Sequence, residues 1–193
     1  LVTPFIRPAT ADDLPAAART LAAAFVDYPW TRWAVPADEH VSRLEQLQAL
    51  YLGHALRHGV VLVDADVRAV AAFLPPDAPE PEPATQERVA ELHGDRLRAL
   101  AALELPAPPE RSWSLATLGV HPDHRGRGLG TAVAAAGLDM IDSTTGGAAV
   151  SLETSDERNV RLYERLGFTV TGRTAIDGGP DVCSMTRVGG TRG

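Results

Sequence analysis

The sequence predicts a mixed α/β fold, with a mostly antiparallel central sheet flanked by helices and one parallel strand pair. Three observations predict it. Short runs rich in β-branched residues alternate with longer stretches whose apolar residues recur at helical spacing. The short link Asp64-Ala65-Asp66 joins two such runs as a hairpin would. In the C-terminal half a strand, a helix and a strand follow in succession, the order that sets two strands side by side and parallel.

Taken in order, residues 5–8 read as a first strand. Thr10 or Asp12 then caps a helix to about residue 25, with Leu14, Ala17, Ala18, Leu21 and Phe25 on its apolar face. The aromatic-rich segment 27–33 breaks that helix. A second helix spans 38–58, with Val41, Leu44, Leu47, Tyr51, Leu52 and Ala55 as its stripe. Strands follow at 60–63 and 69–74. Residues 75–83 alternate Pro with acidic residues and form a loop. A helix over 86–103 and a second Pro-rich break, 105–110, come next. Then come a strand at 112–120, a turn at 121–126, a helix at 128–141 and a strand at 148–153. The helix 154–166 opens on Thr154-x-x-Glu157, a capping-box pattern. Strands at 168–173 and 182–188 close the chain, and no internal repeat is present.

A chain of 193 residues, 45% of them hydrophobic, suits one domain with a full core, so residues 1–193 read as a single domain. The net charge of −7 argues against non-specific nucleic-acid binding and suits a cationic ligand. Cys183 is the one cysteine, which excludes an internal disulfide and points to a reduced, cytoplasmic setting. Residues 1–10 lack the pattern of a secretory leader, and no apolar run reaches the roughly 18 residues of a membrane span. The sequence opens on Leu1 rather than Met, which leaves a processed, trimmed or alternatively started product open.

The strongest signal lies between Thr117 and Thr131, where a strand enters a glycine-rich turn that opens a helix. Gly126, Gly128 and Gly130 let a ligand approach the backbone closely. The free N–H groups of the helix's first turn and its dipole favour an anion, and Arg125 and Arg127 add ionic contacts. Together these describe a diphosphate cradle, against the plainer reading of a structural turn. The spacing Gly-x-Gly-x-Gly is not that of a Rossmann site, and no Lys-Ser or Lys-Thr follows to make a Walker loop. A second motif runs from Leu152 to Phe168. Asn159 and Tyr163 are four residues apart and share a helix face. One is an amide and the other a phenol that can donate a proton, unless Tyr163 is simply core and Asn159 a surface residue.

These motifs resemble those of the GNAT superfamily of acetyl-CoA-dependent N-acetyltransferases. Its Arg/Gln-x-x-Gly-x-Gly/Ala pattern is similar to Arg125-x-x-Gly128-x-Gly130, and its Asn…Leu-Tyr-x-x-x-Gly-Phe to Asn159, Leu162-Tyr163 and Gly167-Phe168. Within that superfamily the chain resembles the puromycin N-acetyltransferases over nearly its whole length. Residues 17–25 with Asp27-Tyr28-Pro29, Leu115-Ala116-Thr117 with Gly119-Val120, Leu152-Glu153-Thr154-Ser155, residues 162–170 and the closing Cys183…Met185-Thr186-Arg187 carry that likeness. It is weak between about residues 60 and 109. Trp30, Trp33 and a Ser184 inserted between Cys183 and Met185 also depart from it.

The resemblance implies a GNAT-type sheet in which strand 112–120 splays from its parallel neighbour 148–153. A pantetheine arm enters the opening and pairs near Leu118 and Val120, with an N–H near Leu118 or Gly119 polarising the thioester carbonyl. The diphosphate rests on Arg125, Gly126, Arg127, Gly128, Leu129, Gly130 and Thr131. Asn159 holds the pantetheine or orients Tyr163, which protonates the departing thiolate. The implied co-substrate is acetyl-CoA, with no metal. The amine attacks directly in a ternary complex, and Cys183 is not favoured as a nucleophile because nothing adjacent would depress its pKa. Strand 112–120 carries no carboxylate, so the base is Glu153, acting directly or through water, or Tyr28, with His121 a remote choice. Tyr28, Trp30 and Trp33 would line the acceptor pocket. The missing strand carboxylate favours an α-amine, with a pKa of about 7.7–8.0, over a lysine near 10.4. The expected acceptor is therefore a small molecule, puromycin or a related aminoacyl nucleoside. A protein N-terminus, another metabolite amine and non-catalytic acyl-CoA sensing are the alternatives. No nucleic-acid or membrane partner is expected, and the protein is read as a monomer or homodimer.

Overall fold

The computed structural model describes residues 4–190. Leu1, the start of the region tested for a leader, and both outer ends of the 1–193 span lie outside the described residues. The elements are β1 (Ile6–Pro8), α1 (Leu14–Phe25), α2 (Pro29–Ala34), α3 (His40–His58), β2 (Val60–Asp64), β3 (Ala69–Leu74), α4 (Pro83–His93), α5 (Leu97–Ala101), β4 (Trp113–Val120), α6 (Leu129–Thr145), β5 (Val150–Thr154), α7 (Glu157–Arg165), β6 (Thr169–Thr174) and β7 (Val182–Arg187). Short 3-10 turns occupy Ala11–Asp13, Gly94–Arg96 and Pro122–His124.

Among the described residues, seven strands form one sheet in the order β1-β2-β3-β4-β5-β7-β6. All neighbours are antiparallel except β4 and β5, as the strand–helix–strand order predicts. β3 shows why the sheet is central. Its residues alternate between two faces. Ala69, Ala71 and Phe73 join the core beneath α6, while Val70 and Ala72 join the core beneath α1 and α3. Helices cover both faces, so a strand made almost wholly of apolar residues is fully buried.

Four local expectations are corrected. Residues 27–33 do more than interrupt a helix: Pro29 starts a new short helix, α2, and the Thr31 hydroxyl donates to the carbonyls of Phe25 and Tyr28 across the break. The helix expected over 86–103 is divided at Gly94, which adopts a positive φ of 54° after α4. Val41 is 54% exposed and lies off the buried face of α3, which runs through His40, Leu44, Leu47 and Gln48. Helix α7 is capped by Asp156, whose carboxylate accepts the Arg158 N–H at 2.8 Å. Thr154 is the last residue of β5, two positions before that cap, and its hydroxyl bonds the Tyr28 phenol at 2.8 Å.

The β2–β3 hairpin turns on Asp64, whose side chain is 1% exposed. Its carboxylate accepts from Arg68 N at 2.6 Å, Ala69 N at 2.8 Å and Arg68 Nε at 2.8 Å. Burial alone would push this acid up, but the three donors together hold it below the usual carboxylate value. Asp64→Ala leaves those donors without a partner beneath the turn. We expect it to cost about 3 kcal/mol of unfolding free energy in urea. A loss well under about 1 kcal/mol would show that water replaces the carboxylate at no net cost.

Candidate active site

The site begins with two strands that part. β4 and β5 pair at only two positions, Trp113 with Val150 and Ser114 with Ser151. Opposite β3, Thr117 faces Ala72 but Leu115 faces Phe73, so Ala116 is an extra residue. Such a bulge bends a strand and increases its twist. β4 keeps its pairing with β3 up to Val120 and leaves β5 behind. The edge from residue 115 to 120 therefore faces an opening instead of a strand. Its backbone groups are available to an extended ligand with amides of its own.

Two cavities lie along this opening, of about 680 and 490 Å³. Phe25, Tyr28, Leu118 and Asn159 line both, so the two are continuous past the middle of β4.

The smaller cavity is built on the start of α6. Gly126 and Gly128 have φ of 74° and 76°, conformations that favour glycine, and a Cβ at either would meet no protein atom within 4 Å. The turn thus presents bare backbone to open space at the N-terminus of a 17-residue helix. Anions are favoured there. Gly130 serves a different purpose: a Cβ on it would lie 3.2 Å from Val120 Cγ2, so it lets α6 sit close to β4. Gly119 likewise admits α1, since a Cβ would lie 2.7 Å from Leu21 Cδ2. Arg125 reaches across to the Ala24 carbonyl at 2.9 Å, and Arg158 and Arg165 line the same cavity.

The larger cavity holds the titratable groups. Tyr163 is 6% exposed and packs edge-on against Phe168 with ring centroids 5.7 Å apart, yet it also lines the cavity. Burial, with the nearby Tyr28, pushes its phenol well above the ordinary value, so it stays protonated. The Glu153 side chain opens into the same cavity, and the Ser184 hydroxyl, directly opposite on β7, donates to its Oε2. Burial of the carboxylate raises its pKa and the Ser184 donor offsets part of that rise. Tyr28 accepts the Ser155 N–H at 2.8 Å and bonds the Thr154 hydroxyl at 2.8 Å, tying the end of α1 to the β5–α7 junction. Asn159 Nδ2 makes a long contact to the same Thr154 hydroxyl at 3.4 Å.

Of the residues singled out from the sequence, Leu118, Gly119, Val120, Arg125, Gly126, Gly128, Leu129, Gly130, Thr131 and Asn159 line the smaller cavity. Tyr163, Glu153, Tyr28 and Trp30 line the larger one. Arg127 lines neither and points back to the Asp123 carbonyl at 3.5 Å. Trp33 also lies outside both, beside the turn at Ile176 and Gly179, although it stacks on Trp30 at 5.4 Å. His121 turns to the Asp123 N–H at 3.3 Å and does not reach the opening. Sequence reasoning missed Arg158 and Arg165, which with Leu162 stand at i, i+4 and i+7 on α7 and so share one helix face, an available signal. It also missed the wall formed by α3, α4 and the Pro-rich loop, including Gln48, Tyr51, His54 and Pro79, which local pattern does not connect to the site.

The model of the acetyltransferase (GNAT) family matches residues 25–168. The chain belongs to the GNAT acetyltransferase family. It is an acetyl-CoA-dependent N-acetyltransferase, and its fold is the GNAT fold. Among solved structures it is similar to an acetyltransferase from Corynebacterium glutamicum described as histone acetyltransferase HPA2 and related acetyltransferase. That likeness has a TM-score of 0.75 and 26% identity, over 98% of each chain. It is also similar to the ribosomal-protein-S18-alanine N-acetyltransferase from Escherichia coli (TM-score 0.58, 19% identity, 98% of this chain and 96% of that one). A third likeness is to yncA from Salmonella typhimurium with its cofactor acetyl-CoA (TM-score 0.54, 20% identity, 97% and 94%). Among the described residues no group of three or more His, Cys, Asp or Glu side chains is placed to hold a metal ion. No described helix is long and apolar enough to cross a membrane.

The bare glycine turn, the helix N-terminus and the arginines fit the diphosphate of acetyl-CoA, and the open edge of β4 fits its pantetheine amides. Gly128→Glu places a side chain and a negative charge in that turn, at a backbone angle side chains avoid. At 100 Kd of acetyl-CoA the wild type should gain about 2.7 kcal/mol, several degrees in melting temperature. The variant should show no such gain in thermal-shift assays. An undiminished shift would place the diphosphate elsewhere.

Proposed function

We propose that this acetyltransferase acetylates the free α-amine of puromycin or a closely related aminoacyl nucleoside. It would work as a single catalytic domain, monomeric or homodimeric, in the reducing setting that its lone, buried cysteine suits. The observation that carries the reading is the position of Glu153. It is the carboxylate on β5 that opens into the large cavity beside the parted strands, while β4 carries none. A carboxylate that opens into the cavity suits an amine that is partly neutral at physiological pH, as an α-amine is, and serves a lysine poorly. The cavity is long and largely apolar, with Trp30 in its wall, as an aromatic aminoacyl group requires.

In this mechanism acetyl-CoA supplies the activated acetyl group as a thioester. Glu153, steadied by Ser184, takes a proton from the acceptor amine, directly or through water. The N–H groups of β4 near Leu118 and Gly119 lie along the opening and stabilise charge on the acyl oxygen. Tyr163, kept protonated by burial, gives its proton to the departing thiolate. Tyr28 holds the β5–α7 junction, since its oxygen already accepts the Ser155 N–H, and is the weaker base of the two. Cys183 is buried on β7, and burial raises its pKa, which disfavours a thiolate nucleophile.

Specificity constants for puromycin, an alanine-initiated peptide, a histone-tail peptide and agmatine test the acceptor. Puromycin should exceed each of the others by at least about tenfold, a margin worth 1.4 kcal/mol of transition-state stabilisation. A peptide or agmatine as the better substrate would reject the proposed acceptor and leave the acetyltransferase intact. Tyr163→Phe should lower kcat by about 10²–10⁴-fold with little change in acetyl-CoA affinity. A near-wild-type kcat would confine Tyr163 to the core.

The base can be tested through pH. Glu153 must be ionised to act, so activity rises as pH climbs through its elevated pKa. Ser184→Ala removes a donor that lowers that pKa, so the acidic limb of kcat/KM should move to higher pH. Ser184→Thr, which retains the hydroxyl, should move it back. A limb unmoved by Ser184→Ala would exclude Glu153 as the group that controls it.

A further inference from the structure

We propose that Gln48 is a specificity residue of the acceptor cavity, and that it recognises a neutral hydroxyl or amide group carried by the substrate at a distance from the reacting amine. The inference rests on the acceptor cavity assigned above.

Gln48 lies on the inner face of α3, is 8% exposed, and lines the cavity. Its Oε1 is buried with no hydrogen-bond partner. An unmet amide oxygen is costly inside a protein. The neighbouring polar groups are accounted for. His93 places Nδ1 2.7 Å from the Ala34 carbonyl and Nε2 3.3 Å from the Tyr51 phenol, so both ring nitrogens are engaged in joining α4 to the body of the molecule. His40 also carries an unpartnered nitrogen, but it does not line the cavity. The unpartnered His124 Nδ1 belongs to the smaller cavity, so among the described residues Gln48 alone combines an unmet polar atom with a place in the acceptor wall.

The surroundings favour a neutral partner. Leu44, Leu47 and Val89 line the same wall, and an apolar wall disfavours a second charge unless it is fully paired. A primary amide offers both an acceptor and donors, and rotation of its last bond exchanges them. A hydroxyl or amide on the ligand can satisfy it in either sense. The amine end and this polar end are then read by different residues: Glu153 governs reactivity and Gln48 governs which body is retained. A site built to hydrogen-bond a substrate hydroxyl discriminates strongly against the analogue without one.

The test uses α,ω-amino alcohols of graded length and alkylamines of matched length. Their binding to the wild type and to Gln48→Leu is measured with CoA present. At one chain length the amino alcohol should bind wild type about tenfold tighter than its alkyl partner, although a hydroxyl otherwise weakens binding in an apolar cavity. Gln48→Leu should abolish that preference, keep alkylamine binding, and melt at or above the wild-type temperature. Gln48→Met serves as a second variant should the first fold poorly. A wild type with no preference at any length, no binding of either series, or a preference that survives both substitutions overturns the proposal. If puromycin is not a substrate but the preference appears and vanishes as stated, the aminoacyl nucleoside reading fails and the role of Gln48 stands. If puromycin is acetylated equally well by Gln48→Leu and no preference is seen, the role of Gln48 fails alone.

Discussion

The parting of β4 from β5 is the constraint on which the rest of this molecule depends. One extra residue at Ala116 bends β4 while β3 continues to hold it by hydrogen bonds as far as Val120. β5 is held equally firmly on its other side by β7 along its whole length, from Val150 to Thr154. Each strand has one satisfied edge and one exposed edge, so the opening is a fixed feature of the sheet. Buried backbone groups left unpaired are costly. Here the cost is accepted along one short edge, where a ligand with its own amides can offset it.

The two banks of that opening are held at a set distance by a small polar junction. The Tyr28 phenol sits between the Thr154 hydroxyl and the Ser155 N–H, and the Ser155 hydroxyl in turn accepts the Trp30 N–H at 3.1 Å. The start of α2 and the start of α7 are thereby joined across more than half the sequence. This explains why the aromatic segment is helical. Its first turn is capped by a distant serine instead of a local residue, and Pro29 removes a donor that would otherwise need a partner. The same junction places Asn159 and Tyr163, one turn apart on α7, beside the middle of β4.

Much of this was legible locally, and the misses share a cause. The parallel pair, the glycine turn, and the faces of α6 and α7 follow from spacing and from what glycine permits. Gly126 and Gly128 do leave bare backbone facing open space. Gly130, from the same pattern, answers instead to Val120, and a run of glycines cannot reveal which neighbour each one faces. Thr154 matched a capping box, but its hydroxyl bonds Tyr28, a partner 126 residues away. Arg127 and Trp33 belonged to the right segments but point away from both cavities. The acceptor wall was invisible for the same reason. Tyr51 and His93 meet through tertiary packing of α3 and α4, and the Pro-rich loop that completes the wall carries no periodic signal. The smaller cavity draws on three short segments, residues 24–29, 118–131 and 156–165, two of which carry the motifs, and the larger one is assembled from more scattered pieces.

The division of charge follows from that arrangement. The chain is acidic, yet the smaller cavity gathers Arg125, Arg158 and Arg165 around a helix N-terminus. These are the groups an anionic cofactor requires. Asp156 caps α7 among them and is itself held below the usual carboxylate value, chiefly by its bond to Arg158, so it stays ionised and offsets part of that arginine's charge. Across the opening the balance reverses. Glu153 is pushed up by burial and Tyr163 is pushed up strongly, so the phenol is the group that stays protonated. The parted strands separate these two electrostatic environments by the width of a single β-strand edge. In the proposed mechanism an acyl group held along that edge would find Glu153, Tyr163 and the backbone N–H groups of β4 within the same opening, apart from the arginines of the smaller cavity.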